Sequence, residues 1–422
     1  MSDVPVVEIR IWKQRVGAVA PVPRKPGVYE FQYAPEFTQS GLELSPVWMK
    51  LAEKNRFSFP GLNPDTFYGL PGLLADALPD KFGNALIDEY LSRQGTRTAD
   101  ITTLQRLLHV GRRAMGALEF EPTALETRSP TVAAPLDMAL LVEDARRALH
   151  GEFSLVAQDI LDIGCSAGGA RAKAVIGWNP DTHKVVSGQF DLPDGYEHWL
   201  LKFDVGADEV TGYSAGFGRI EYAHYLMATE AGIGMPACRL LEENGRAHFM
   251  TKRFDRRGNK KVHVQSLCGL AHLDFNTPYI HSYDQYLRTV LKLNLGADAL
   301  AQAWLRCIFN VAVMNCDDPT KNLAFLMDES GVWGLAPAFD NCFSHNPATG
   351  KWTRQHQMLV GGKAWNITTD DLLALAHQFD IRQSKRMLKH VVEVVERWSE
   401  FARRAGVSQD EATRIGSFHL FS

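Results

Sequence analysis

Asp317, Asn322 and Asp340 have the residue types and spacing for phosphoryl transfer. Asp317 and Asn322 close an Asp-x-x-x-x-Asn run, and Asp340 follows a stretch that reads as two short strands and a turn. Moving a phosphoryl group needs one carboxylate to orient the attacking hydroxyl and accept its proton. It also needs hard oxygen ligands for the magnesium ions that neutralise the phosphates. Asp317 is the candidate base. The amide of Asn322 and the carboxylate of Asp340 are the candidate metal ligands, and Lys321 is a candidate nucleotide contact. The run alone is common by chance, and a solvated turn capped by Asp and Asn has the same composition. The hairpin and the second Asp make the pattern more specific.

Several elements must position these groups. Leu323–Met327 and Val332–Leu335 read as paired strands around a turn at Asp328–Gly331. Ahead of them, Asp298 is placed to cap a helix Ala299–Met314 with an apolar stripe of Leu300, Trp304, Ile308 and Val311. Ser282 and Gln285 form a capping box for Tyr283–Leu293. Thr368–Phe379 and Ile381–Ala405 read as two further helices, and Ser408 with Glu411 starts a last short one.

Upstream, Gly164–Lys173 is a small, glycine-rich loop that leads into an apolar strand Ala174–Trp178. Such a loop lets backbone N–H groups approach phosphates closely, although a plain turn has the same residues. Lys202 ends the apolar strand His198–Phe203, where a lysine can set a point charge on phosphates or simply reach water. Glu221 falls in the first turn expected for a helix Ile220–Gly232. There it can pair with Lys202 or complement the helix dipole. Arg239–Glu242 and His248–Phe254 read as strands around Asn244-Gly245. The second makes a hinge whose backbone at Lys252, Arg253 and Phe254 would face an adenine. Glycine-rich loop, strand lysine, helix glutamate, hinge, Asp-x-x-x-x-Asn and Asp follow one another in the order that protein kinases use.

The first 130 residues look like a separate α+β unit, with strands at Val6–Trp12 and Gly27–Tyr33 and helices at Phe82–Leu91 and Thr103–Val110. They carry no obvious chemistry and read as a packing or docking domain. Thr123–Pro135 is a candidate linker, and Asp137 can cap the apolar stripe that follows it. The expected division is 1–130 for this unit, 131–255 for a β-rich small lobe and 256–422 for a helical large lobe with the catalytic loop.

With 422 residues, 45% of them hydrophobic and 22% charged, the chain has ordinary globular composition and the length for two or three domains. A net charge of −4 gives no global attraction to nucleic acid or anionic membrane. Arg253–Lys261 is locally basic and reads as a solvated hairpin. The six cysteines form no C-x-x-C, which points to reduced, cytoplasmic usage and away from disulfides or zinc. No signal pattern opens the chain, and no apolar run is long enough for a membrane span.

GLPGLLADALPDKFG (Gly69–Gly83), GRRAMGALEFEP (Gly111–Pro122), SAGGARAKA (Ser166–Ala174), LLKFD, TKRFDR, NCDDPTKN (Asn315–Asn322) and PAFD (Pro337–Asp340) together resemble the HipA-like serine/threonine kinases. These are the toxins of HipA–HipB toxin–antitoxin systems, and the resemblance runs along nearly the whole chain. It implies an α+β, two-lobed protein-kinase-like fold behind an N-terminal subdomain. The implied activity is an ATP- and magnesium-dependent protein kinase, with translation-related targets such as an aminoacyl-tRNA synthetase. By this resemblance Asp317 is the base, Asn322 and Asp340 hold magnesium, and Lys202 holds phosphate. Ala167, Gly168, Gly169, Ala170, Arg171 and Lys173 cover the nucleotide, and Lys252, Arg253 and Phe254 line the adenine. Ser166 matches an autophosphorylated loop serine. A helix-turn-helix HipB-like antitoxin is the implied partner, with DNA reached through it.

Two departures stand out. Pro319 occupies a position where family members commonly carry His, and Lys252 one where they often carry Glu. Two other readings keep the same residues: a nucleotide-dependent corepressor acting with an antitoxin, and a phosphotransferase acting on small molecules.

Overall fold

The computed structural model describes residues 6–122, 136, 138–149, 172–204, 216–348 and 350–421. It falls into two compact units. One comprises Met1–Val205, Met250–His272 and Leu326–Val332; the other comprises Gly206–Phe249, Leu273–Phe325 and Trp333–Ser422.

The first unit opens on an antiparallel sheet of β1 (Val7–Ile11), β2 (Gln14–Pro21), β3 (Tyr29–Tyr33), β4 (Arg56–Phe57) and β5 (Leu118–Glu121), in the order β4-β3-β2-β1-β5. In β1, Val7, Ile9 and Ile11 are buried and the residues between them are not, as the period of two requires. β2 escapes that signal because Gly17, Ala18 and Ala20 replace bulky residues. The reason is steric: a Cβ on Gly17 would lie 2.1 Å from the carbonyl oxygen of Gln32. The expected helices appear as Lys81–Arg93 and Thr103–Val110, the second with a full capping box from Thr102 and Gln105.

A second sheet in this unit places β6 (Lys173–Trp178) between β7 (Val185–Ser187) and β8 (Glu197–Lys202). All of β6 is buried. Its pairing with β8 is antiparallel, with Lys173 opposite Lys202.

Buried charge joins the N-terminal residues to this second sheet and to the chain that follows it. Asp80 caps the helix Lys81–Arg93 through the N–H of Gly83, at 2.7 Å. Its other carboxylate oxygen lies 3.2 Å from the ammonium of Lys173, which is only 2% exposed. Asp255, wholly buried, accepts two bonds from Arg253, one from Arg256 and one from the backbone N–H of Gly116. Burial would raise its pKa, but the two guanidiniums and the donated hydrogen bonds win and hold the carboxyl well below the usual range. The stretch Arg253–Lys261 does contain the expected hairpin, with Arg256–Arg257 paired to Lys260–Lys261. Its turn, residues 257–260, is exposed as expected, but its flanks are not: Arg253 and Arg256 are buried on Asp255, and Lys261 pairs with Glu119 at 2.7 Å.

The second unit is mainly helical. Phe217–Glu230, Tyr283–Lys292, Gly296–Ala312, Thr369–Gln378, Ser384–Val395, Trp398–Ala405 and Gln409–Gly416 are its longer helices. Its core gathers on Gly296–Ala312, where Trp304, Ile308, Phe309 and Val311 are fully buried. The Trp304 indole N–H reaches the Leu372 carbonyl at 3.1 Å, so even the polar edge of that ring is satisfied. β9 (Cys238–Glu243) leads through Asn244 and Gly245, both at positive φ, into β10 (Arg246–Lys252). Asn-Gly is the expected chemistry for such a turn.

Three expectations need correction. The helix expected at 299–314 starts at Gly296 after Leu295, so Asp298 sits in its first turn and does not cap it. The helix bearing Glu221 starts at Phe217, which moves Glu221 beyond the first turn into a buried position, away from the dipole role. The single helix expected over 381–405 is two, broken at Glu396 and Arg397. The apolar stripe Val391, Val394, Val395, Trp398 and Phe401 stays in phase through that tight turn, so periodicity alone could not reveal it.

Candidate active site

The site is built in the second unit on the segment that leaves the helix Gly296–Ala312. Asn310, near the end of that helix, is 3% exposed. Its side-chain oxygen accepts from the side-chain amides of Asn315, at 3.1 Å, and Asn341, at 2.8 Å. Its own amide donates to the Tyr283 hydroxyl at 2.9 Å. One helical side chain therefore holds both the loop that carries Asp317 and the residue next to Asp340.

Asn315 repeats the device. Its amide also donates to the backbone carbonyl of Asp340 at 3.0 Å, and its side-chain oxygen accepts from the Ser344 hydroxyl at 3.0 Å. Ser344 accepts in turn from the backbone N–H of Asp317 at 2.7 Å. The chain around Asp317 and the chain around Asp340 thus share Asn315 and Ser344 as buried fasteners.

Asp317 is exposed, whereas the next residue, Asp318, is buried. Asp318 accepts from the Tyr283 hydroxyl at 2.8 Å and from the backbone N–H of Gln357 at 2.7 Å, and His356 lies 3.3 Å away. Adjacent aspartates therefore do different work: one is anchored inside and the other is presented to solvent. A carboxylate oxygen of Asp317 accepts from the Gln357 side-chain amide at 2.9 Å.

Asn322 ends the short turn Thr320–Asn322, and its side-chain amide donates to the backbone carbonyl of Asp317 at 3.0 Å. That bond commits the NH2 group and leaves the amide oxygen as the face offered outward. The hairpin follows as expected. Ala324–Met327 and Trp333–Leu335 are neighbouring strands, with Ala336 N–H bonded to the Ala324 carbonyl at 3.0 Å. Beyond it, Ala336 is held by the Arg306 guanidinium at 2.8 Å and Ala338 by the Gly234 carbonyl at 2.8 Å. Asp340 then turns with φ 54°, a left-handed conformation that Asp tolerates better than most residues.

The fit to a magnesium ion rests on this donor chemistry: one carboxylate and one oriented amide oxygen, both hard, on segments fastened to each other. Among the described residues no group of three or more His, Cys, Asp or Glu is placed to hold a metal. Such a site would complete its shell with phosphate oxygens and water, as magnesium sites commonly do. Cys316, between Asn315 and Asp317, contributes no thiolate: burial first, then Asp318 and Asp317, push its pKa up.

The other predicted residues fall in different places. Ser166, Ala167, Gly168, Gly169, Ala170 and Arg171 lie outside the described residues. Lys173 was expected in the loop; it is the first residue of β6, buried against Asp80. Lys202 ends β8 in the first unit, half-buried, and Glu221 belongs to the second unit. At the hinge, the Lys252 ammonium pairs with Glu197 at 2.6 Å. The Arg253 N–H bonds the His198 carbonyl at 2.9 Å, while its side chain is committed to Asp255. Arg253 can therefore line a nucleotide only with its remaining backbone. Sequence reasoning missed Asn310, Asn315, Asp318, Asn341, Ser344 and Gln357. Asn310 had a signal, since it is a polar residue inside the apolar run Cys307–Val313.

Two family models match the chain: the HipA N-terminal domain over residues 7–121 and the HipA-like C-terminal domain over residues 165–401. The chain belongs to the HipA-like family. A solved structure of Shewanella oneidensis MR-1 HipA, in a complex with HipB and its operator DNA, matches with a TM-score of 0.68 at 15% identity. That match covers 97% of this chain and 94% of the other, and the fold is the α+β, kinase-like fold of HipA. The Helicobacter pylori proinflammatory kinase CtkA, at 12% identity, covers 52% of this chain and 92% of its own, with a TM-score of 0.32 that is too low to bear on the fold. No curated protein sequence matches the chain. Among the described residues no helix is long and apolar enough to cross a membrane.

Proposed function

We propose that this chain is an ATP- and magnesium-dependent serine/threonine protein kinase, acting in the cytoplasm as the toxin of a toxin–antitoxin pair. The observation that carries the reading is the fastening of Asp317, Asn322 and Asp340 through Asn315, Ser344 and the Asn322–Asp317 bond. Asp317 would orient an acceptor hydroxyl and take its proton. The Asn322 amide oxygen and the Asp340 carboxylate would hold magnesium, which when bound neutralises phosphate charge. Lys202 would contact phosphate, and the loop with Ser166 would cover the nucleotide and accept phosphate itself. The similarity to a HipA solved with HipB and operator DNA supports a HipB-like helix-turn-helix partner, with DNA contacted through it. A translation-related protein is the proposed target.

The test is transfer of label from radiolabelled ATP, with magnesium, to the protein itself or to a lysate protein. The intact chain is expected to transfer label, with phosphate found on Ser166 by mass spectrometry. Asp317→Ala is expected to do neither while still folding. Equal labelling by Asp317→Ala would overturn the assignment of the base.

A further inference from the structure

The Asp317 carboxylate is not steered by its own loop alone. Two residues further on stands Pro319, which has no side-chain donor and no N–H. A donor comes from Gln357, whose side-chain amide lies 2.9 Å from the carboxylate.

Gln357 is itself held firmly. It is 4% exposed. Its backbone N–H donates to Asp318 at 2.7 Å, and its carbonyl accepts from Tyr279 N–H at 3.0 Å. The next two residues, Met358 and Leu359, pair in parallel with His281 and Ser282. Asp318 is fixed in turn by Tyr283, and Tyr283 by Asn310. A chain of hydrogen bonds therefore runs from the helix Gly296–Ala312 through Tyr283, Asp318 and Gln357 to Asp317.

The direction of the amide is set by chemistry. Among the described residues the buried Gln357 side-chain oxygen has no hydrogen-bond partner. Turning the amide over would place that oxygen against the Asp317 carboxylate, two acceptors facing each other, and would move the donor away from it. The same amide nitrogen also lies 3.5 Å from the Trp352 carbonyl, a second acceptor that favours this orientation.

We propose that Gln357 is the positioning residue of the transfer reaction. It holds the Asp317 carboxylate in the one rotamer that meets an acceptor hydroxyl. This rests on the kinase reading above and deepens it. Gln357 bonds the base itself, so its contribution is expected on the chemical step. A positioned bond to a charged group corresponds to a loss of about tenfold or more in kcat when it is removed.

The experiment measures kcat and the KM for ATP for the intact chain, Gln357→Ala, Gln357→Glu, Asp317→Asn and the double variant Asp317→Asn/Gln357→Ala. Gln357→Glu keeps the shape but sets a second acidic group against Asp317 in place of the amide donor, so it reports even if the alanine variant folds poorly; thermal unfolding checks both. Expected are a fall in kcat for both Gln357 variants, an unchanged KM for ATP, and no further loss from Gln357→Ala once Asp317 is already Asn. Wild-type kcat in a folded Gln357→Glu variant would overturn the proposal, as would fully additive losses in the double variant. Failure of the intact chain to transfer phosphate at all is a different result, since it strikes the kinase reading before any Gln357 variant is compared.

Discussion

At the scale of single residues, the site depends on amides more than on charges. Asn310 is the clearest case, because one buried side chain satisfies Asn315, Asn341 and Tyr283 together. Asn310→Leu is nearly isosteric but leaves buried partners unpaired, at about 1–3 kcal/mol for each group stranded. The expected outcome is a clear drop in the urea midpoint, together with weaker phosphate transfer as the two fastened segments loosen. An unchanged midpoint would show that water replaces the lost bonds. The sequence singles out Asp317, Asn322 and Asp340 by a spacing that the proposed ligands would dictate, and the fold fastens the segments that carry them. Asn310, Ser344 and Gln357 were not legible there, because a hydrogen bond between residues 27, 31 or 40 apart leaves no trace in periodicity.

At the scale of elements, caps were legible and breaks were not. Ser282 accepts from the Gln285 N–H, and Gln285 returns a bond to Ser282, as the Ser-x-x-Gln spacing predicts. Ser408 likewise caps where expected, and Thr368, read as the first residue of its helix, caps it instead. Capping is local chemistry, decided within four residues. The break at Glu396 and Arg397 is decided by partners far along the chain: Arg397 reaches Glu230, and the Trp398 indole reaches the Ala412 carbonyl at 2.8 Å. Ser282→Ala should cost about 1 kcal/mol of stability. Because Ser282 is followed by Tyr283, which holds Asp318, chemical denaturation and phosphate transfer measured on the same variant should fall together. Loss of stability with untouched activity would mean that the Tyr283–Asp318 bond survives a frayed helix start.

At the scale of the whole chain, buried histidines set the response to acid. Burial pushes His224, His263 and His272 down to about 4, and His109 and His419 to about 3, from an ordinary 6.5. His109 is lowered further by Arg113, and His419 by His224. Folded-state values below the unfolded value mean that the unfolded chain binds protons first as pH falls. Their contribution to stability is therefore complete above about pH 6.5 and is lost steadily between about 6.5 and about 4. Thermal unfolding at about pH 7.5 and about pH 5 should show a lower midpoint in acid. An equal or higher midpoint at the lower pH would contradict the neutral, buried state of these rings. The basic stretch Arg253–Lys261 carries a related lesson. Composition shows how many charges it holds but not that Asp255 lies between two of them, so the solvated reading holds for the turn at 257–260 and fails for the buried base of the hairpin.

Asp340 turns through the left-handed region at φ 54°. Few amino acids accept that backbone cheaply: glycine, asparagine and aspartate lead the short roster. Only one of the three bears a negative charge. A substitution here that keeps the backbone is thus channelled toward Gly or Asn, and on the proposed reading it yields a folded chain without the carboxylate that would hold magnesium.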